Sequence, residues 1–226
     1  MLPKLYEALL DTADLSKLQS LRQVIVAGET CPSALPARHA ELLPLCSLAN
    51  EYGPTEATVW ATADLNGPGV SGALTIGRPI SGMEVLLLDQ DRNPVPTGGT
   101  GEIALSGHNV ATGYFNRVEE TAKAFPELQK PGEPSQRIYL TGDRARLLSD
   151  GRLQYLGRDD RQVKIRGHRI QLDEVETAIR ALDSVRDVVI DVIPARPADP
   201  NDLQAALAQL PPEEATALVT KARGAS

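Results

Sequence analysis

The sequence predicts an α/β chain: an α/β layer, then a β-rich, barrel-like unit, then a small β-α-β unit. Three observations lead there. Residues 1–66 alternate helical and strand patterns around two short apolar runs. From about Asn66 to Gly157 the texture changes to short β-type runs broken by Gly and Pro. From Asp159 onward a strand, a helix and a further strand-like run succeed one another. Hydrophobic period separates these textures, because helices repeat near 3.6 residues and strands near 2.

Taken in order, Leu5, Leu9 and Leu10 recur at helical spacing. Gln23–Ala27 is an apolar run of buried-strand type ending at Gly28, followed by a helix expected over Ser33 to Leu43 and a strand over Leu45 to Ala49. That strand leads into Asn50-Glu51-Tyr52-Gly53-Pro54-Thr55-Glu56. In open α/β sheets ligands gather at the carboxyl ends of strands, which is where Gly28 and this loop fall. In the second texture, Met83 to Asp89, Glu102 to Ser106 and Gln154 to Leu156 read as strands. Ser149-Asp150-Gly151 between Ala145–Leu148 and Arg152–Leu156 is a hairpin signal, since Asp-Gly suits turns whose twist matches the strands. Gln162 to Arg166 alternates like an exposed strand, and Asp173-Glu174-Val175-Glu176 opens a helix with Leu172, Val175, Ile179 and Leu182 on one face. Val188-Val189-Ile190 is strand-like again. Residues 194–226 form a Pro- and Ala-rich tail with helical patterning.

The chain has 226 residues, 42% of them hydrophobic and 23% charged, which suits a globular protein with a sizeable core. Its net charge of −7, from 23 Lys and Arg against 30 Asp and Glu, argues against nucleic acid or an anionic membrane as partner. Cys31 and Cys46 have no spacing that suggests a disulfide scaffold or a zinc site, so a reducing, cytoplasmic setting is expected. No run approaches the roughly 20 apolar residues of a membrane span.

Several motifs can carry chemistry. In Tyr52-Gly53-Pro54-Thr55-Glu56, Thr55 offers a hydroxyl for a phosphate oxygen, Glu56 an oxygen ligand for magnesium, and Tyr52 a flat face for a base. The same residues also fit a rigid structural turn with solvated polar tips. In Tyr139-Leu140-Thr141-Gly142-Asp143, the acid can accept hydrogen bonds from both ribose hydroxyls, or it is an ordinary solvated strand end. Gly157 to Ile170 is cation-rich, fitting either a solvated strand face or a patch for polyphosphate or an acidic partner. Thr97-Gly98-Gly99-Thr100-Gly101-Glu102 lacks the Lys-Ser/Thr of a phosphate loop and reads as a β-turn. His39, His108 and His168 are scattered and read as surface residues.

Read in order, Asn50 to Glu56, Ile76-Gly77-Arg78-Pro79-Ile80, Gly101 to Gly107 with Gly113-Tyr114, Tyr139 to Asp143, and Gly157 to Ile170 resemble the adenylation domains of nonribosomal peptide synthetases, within the adenylate-forming superfamily. The resemblance covers residues 1 to about 192. It implies the C-terminal part of the large adenylate-forming core, an α/β layer (1–66) plus a distorted β-barrel (67–158). The start of a small α+β C-terminal subdomain (159–193) would follow, with 194–226 outside the match.

It also implies the reaction. An amino acid and ATP give aminoacyl-AMP and pyrophosphate, and the aminoacyl group passes to the phosphopantetheine thiol of a peptidyl carrier protein. Carried over by position, Tyr52 packs on adenine, Asn50 borders its edge, Thr55 contacts phosphate, Glu56 helps hold Mg2+, and Asp143 binds the ribose hydroxyls with Arg158 nearby. Asp160 matches the hinge of the small subdomain, and Lys164 to Gly167 the loop that swings in for thioester formation. Ile25, Ala27, Glu51, Val59 and Trp60 match substrate-pocket positions. The family's phosphate loop and the Asp that holds the substrate amine match nothing in residues 1–49, and Lys221 lacks the context of the catalytic Lys. A chain inactive by itself is therefore expected, with neighbouring synthetase domains or the missing half of the adenylation domain as partners. Two other readings remain: a non-catalytic half-domain acting as an interaction module, and an acyl-CoA or aryl-acid ligase relative.

Overall fold

The computed structural model describes residues 1–66, 75–129, 132, 134–165, 168–182, 184–185 and 187–192. By packing, the chain separates into two units, Met1–Gln171 and Leu172–Ser226.

The first unit opens on helix α1 (Pro3–Thr12), which starts on a proline whose missing N–H costs nothing in the first turn. It buries Pro3, Tyr6 and Leu10, while Leu5 is 59% exposed, so the inward stripe runs through Tyr6 rather than Leu5. Strand β1 (Gln23–Ala27) has the expected bounds. Helix α2 (Leu35–Leu42) follows, then β2 (Ser47–Tyr52), β3 (Thr62–Asn66) and β4 (Arg78–Pro79). These strands form one sheet in the order β1-β2-β3-β4, with β1 parallel to β2 and the other pairs antiparallel. Val24, Val26 and Leu48 pack with Tyr6, Leu10 and Leu35 into one core cluster. Burying each such side chain contributes roughly 1.5–3 kcal/mol.

Strand β2 begins later than expected, leaving Leu45 73% exposed, and runs on through Tyr52. Ladders to β1 on one side and β3 on the other carry it past Ala49, so Asn50, Glu51 and Tyr52 belong to the strand rather than to a loop. His39 is 1% exposed, contrary to the surface position expected: Tyr6 Oη lies 2.6 Å from Nδ1 and the Cys46 carbonyl 2.8 Å from Nε2. Satisfaction of both ring nitrogens is what makes its burial tolerable. His108 is exposed as expected, and the side chain of His168 lies outside the described residues.

The β-rich part contains β5 (Met83–Leu88), β6 (Thr100–Gly107), helix α3 (Val118–Ala124), β7 (Glu127–Leu128), β8 (Gln136–Arg137), β9 (Tyr139–Leu147) and β10 (Leu153–Arg158). Its main sheet is antiparallel in the order β10-β9-β6-β5, and β7 pairs with β8. The hairpin at Ser149-Asp150-Gly151 is present: β10 pairs back on β9, Gly151 has φ +80°, and Asp150 Oδ1 accepts from the Arg152 amide. The glycine-rich stretch turns as expected, with the Gly99 amide donating to Pro96 O just before β6. The two sheets are joined at Ile76–Gly77, where Ile76 N donates to Leu153 O and Leu153 N to Gly77 O.

Strand β11 (Gln162–Ile165) pairs with β12 (His168–Gln171) as a hairpin. Gln162 is 4% exposed, so β11 does not begin as a solvent-facing strand. The second unit contains α4 (Leu172–Arg180), which accepts the Ile190 amide on Glu176 Oε1. Val188–Ile190 forms no strand. Side-chain carboxylates take its amides instead of a ladder, Asp187 that of Val188 and Glu176 that of Ile190. Residues 194–226 and Gly167 lie outside the described residues, as does the side chain of Lys164.

Candidate nucleotide site

Strand β9 is interrupted where its motif lies. The β6–β9 register shifts between Glu102 and Ala104, pushing Thr141-Gly142-Asp143 out of the ladder. Side chains recover the displaced backbone groups. Glu102 Oε1 accepts from the Gly142 amide (2.8 Å), Thr141 Oγ1 donates to Ile103 O (2.8 Å), and the Asp143 amide donates to Thr141 Oγ1 (3.0 Å).

The neighbouring strand carries a matching irregularity. Between Tyr155 and Gly157 the β10–β9 register shifts, Leu156 being the extra residue, so that Arg158 stands directly opposite Asp143. An unbroken ladder would put Gly157 there. Asp143, 5% exposed, thereby receives three donors: Tyr52 Oη on Oδ2 (2.6 Å), and Tyr155 Oη (3.0 Å) and Arg158 Nη1 (2.8 Å) on Oδ1. Arg158 also donates through Nη2 to Thr141 O and grips Asp160 with Nε and Nη2, both at 2.7 Å. The rings of Tyr52 and Tyr155 lie 6.1 Å apart at 40°.

This clustering fixes protonation states. Burial, then the Asp143 charge, raises the Tyr52 hydroxyl well above its ordinary value, and the same causes raise Tyr155, so both remain donors. Burial opposes the charge on Arg158, but hydrogen bonds and charges from Asp160 and Asp143 outweigh it and hold the guanidinium more firmly protonated. In the α/β layer, burial and the nearby Cys46 push Tyr6 up to about 12. Tyrosines in an unfolded chain titrate near 10. A group that binds its proton more tightly when folded stabilises fully below its unfolded value and loses that contribution as pH rises toward its folded one. Urea unfolding should therefore show stability falling as pH rises from about 10 to 12, with a shallower fall in a Tyr52→Phe, Tyr155→Phe double variant. Constant stability across that interval would contradict the assignment.

The turn after β2 forms a second cluster. Glu56 is 8% exposed, and Tyr114 Oη donates to its Oε1 at 2.7 Å. Residues 109–114 are fastened alongside: the Ala111 amide donates to Glu56 O, Thr58 Oγ1 to Asn109 O, and Asn109 Nδ2 to Trp60 O. Arg137 donates to Ala111 O and Thr112 O and lies 4.7 Å from the Phe125 ring centroid, whose edge packs on Tyr114. Thr58 and Val59 hold φ of +54° and +71°, a left-handed conformation that β-branched residues adopt at a cost of order 1–3 kcal/mol each. Bonds from Thr58 N to Thr55 O and Val59 N to Pro54 O hold them there. Thr55 is exposed.

The sequence-derived residues thus divide by position. Tyr52, Asp143, Arg158 and Asp160 form one bonded group. Asn50 is buried and spends its amide on Thr75 O, bracing the chain before Gly77. Ile25, Ala27 and Glu51 share one face at the carboxyl end of the first sheet, with Ala27 opposite Glu51 in register. Burial raises the Glu51 carboxyl pKa. Val59 and Trp60 are 66% and 42% exposed beyond the strained turn. Sequence reasoning missed Tyr155, Glu102, Thr141 and the Tyr114–Glu56 bond. Gly157, a glycine inside a strand pattern, was the available signal for the bulge that sets the register of Tyr155 and Arg158.

The family model described as AMP-binding enzyme matches residues 1–115. The chain belongs to the AMP-binding enzyme family. Among the relatives of this AMP-binding chain, a dimodular nonribosomal peptide synthase of Bacillus subtilis is 41% identical over 198 residues, 87% of this chain and 8% of that protein. Phosphinothricin tripeptide synthetase PhsB of Streptomyces viridochromogenes is 42% identical over 198 residues, 87% of this chain and 16% of that protein. A solved nonribosomal peptide synthetase protein containing adenylation and PCP domains superposes with a TM-score of 0.76 at 32% identity, covering 93% of this chain and 45% of that one. The AMP-binding chain therefore spans a small fraction of the curated relatives it matches and under half of that solved chain.

Proposed function

We propose that this chain supplies the nucleotide-facing part of an amino-acid-activating adenylation domain that serves a phosphopantetheinyl carrier protein. The observation that carries the reading is the convergence of Tyr52, Tyr155 and Arg158 on the buried Asp143, within a family of AMP-binding enzymes. A buried carboxylate held mid-strand, where β9 leaves its ladder with β6, is suited to a ribose diol, and the Tyr52 ring beside it is suited to a purine face. The two half-reactions balance simply. A substrate carboxylate oxygen bonds to the α-phosphorus of ATP as the bond to the β-phosphate oxygen breaks, releasing pyrophosphate. The carrier thiolate then bonds to the acyl carbon as the acyl–oxygen bond breaks, releasing AMP.

Magnesium fits the donor set. Mg2+ takes one or two protein carboxylates together with phosphate oxygens and waters, and Glu56 is a buried carboxylate whose Oε1 is oriented by Tyr114, next to the exposed Thr55 hydroxyl. When bound, the ion would neutralise phosphate charge. In this reading Glu56 holds it, Thr55 contacts phosphate, Asn50 borders the adenine edge, and Ile25, Ala27, Glu51, Val59 and Trp60 line the amino-acid pocket. Asp160 acts as hinge, with Lys164 to Gly167 serving the thioester step.

Calorimetry with AMP and amino-acid-dependent ATP–pyrophosphate exchange test the proposal. The chain should bind AMP, show no exchange alone, and show exchange when complemented with the parts of an adenylation domain that it lacks, the phosphate-loop half and the segment carrying the catalytic Lys. Exchange by the chain alone would refute the expectation of inactivity, and failure to bind AMP would refute the nucleotide site.

A further inference from the structure

Arg158 uses the two sides of one guanidinium on two different carboxylates. Nη1 meets Asp143 at 2.8 Å, while Nε and Nη2 meet Asp160 bidentately at 2.7 Å each. The Arg158 side chain is 12% exposed and that of Asp143 7%, so their orientation is set by the protein rather than by water. Asp160 is 42% exposed and lies beyond β10, in the junction leading to the β11–β12 hairpin, where its Oδ1 also accepts the Gln162 amide at 3.1 Å. The pairing depends on a missing side chain: a Cβ on Gly142, at φ +72°, would stand 2.6 Å from Arg158 Nη2 and 3.0 Å from Asp160 Oδ2. The chain therefore leaves space for this particular ion pair beside the motif that presents Asp143.

We propose that Asp160 is a positioning residue of the nucleotide site, holding Arg158 against Asp143 and thereby coupling the diol-binding carboxylate to the Asp159–Gln162 junction. The inference rests on the nucleotide reading above. Asp143 Oδ1 carries two donors and Oδ2 one, so a ribose diol binds well only where those donors leave its lone pairs correctly presented. A bidentate carboxylate–guanidinium fork fixes an arginine in plane as well as in distance. Removing that grip lets Arg158 turn on Asp143 and disorders the acceptor before the nucleotide arrives. Because coupling is reciprocal, a nucleotide that benefits from the grip must also strengthen it.

The test compares the parent chain with Asp160→Asn, Asp160→Glu and Asp159→Asn by calorimetry with AMP and 2′-deoxy-AMP. Asp159 pairs with Arg144 at 3.0 Å, so its variant removes the same charge without touching Arg158. In Asp160→Asn, AMP should bind about 5- to 10-fold more weakly, and the preference for AMP over 2′-deoxy-AMP should shrink. Asp160→Glu should restore most of both, and Asp159→Asn should leave both unchanged. Hydrogen exchange of the Gln162 amide should slow when AMP is added to the parent chain and not in Asp160→Asn. Equal weakening of both nucleotides in Asp160→Asn, or no weakening, would overturn the coupling while leaving the nucleotide site standing. A parent chain that binds no AMP would overturn the site itself and the coupling with it.

Discussion

Replacing Asp143 with alanine should remove AMP binding and destabilise the protein by about 3–5 kcal/mol, the range for removing one partner of a buried ion pair. The effect is large because three donors lose their acceptor together: Tyr52 Oη, Tyr155 Oη and Arg158 Nη1. Asp160 still compensates the Arg158 charge, which keeps the loss from exceeding that of a single broken pair. Asp143→Asn separates the two effects. It retains one acceptor oxygen and most of the packing but places an N–H2 against a donor, so part of the stability should return while diol binding does not. Calorimetry with AMP and urea unfolding read the two quantities independently. AMP affinity unchanged in either variant would remove Asp143 from the site.

The second large effect is expected at Gly77. A Cβ there would lie 1.7 Å from the Ala63 carbonyl oxygen and 2.3 Å from the Asp64 amide nitrogen, and φ is +74°. Neither obstacle is a flexible side-chain end. The backbone must move, and Gly77 is part of the seam joining the two sheets, where its carbonyl accepts the Leu153 amide. Gly77→Ala should cost more than about 4 kcal/mol, within the exceptional tail of single substitutions, and reduce soluble expression. A melting temperature within a few degrees of the parent would show that the seam yields. By contrast, Gly98→Ala, also at positive φ but with no atom within 4 Å of the added carbon, should cost only the backbone strain of about 1 kcal/mol.

Much of the architecture was legible because it depends on local period. Gln23–Ala27 reads as a buried strand from five residues, and the Asp150-Gly151 hairpin from its turn chemistry. Expectations failed where a partner distant in sequence overrode the local pattern. Leu45 looks like strand but is left in solvent, because β2 follows its ladders and not its hydrophobicity. His39 looks like a surface residue until Tyr6 and the Cys46 carbonyl are brought to its ring. Val188–Ile190 has strand composition, but Glu176 of the preceding helix takes the Ile190 amide. The candidate site shows the same division. Tyr52, Glu56, Asp143 and Arg158 stand out as residue types in ordered motifs, and Tyr114 lies in such a motif without its bond to Glu56 being legible, whereas Tyr155 sits in a segment whose one-dimensional pattern shows no chemistry.

The sequence by itself determined which chemical groups this AMP-binding chain can offer, in what order, and on which kinds of element. Residue type and period are local properties, and they are read without knowing any contact. Only the tertiary structure decided that two register shifts, one on each side of β9, bring Asp143 opposite Arg158 and within reach of Tyr52, a residue 91 positions away. Such a shift displaces a strand by only one or two residues, and its consequence depends on what the neighbouring strand carries at that level.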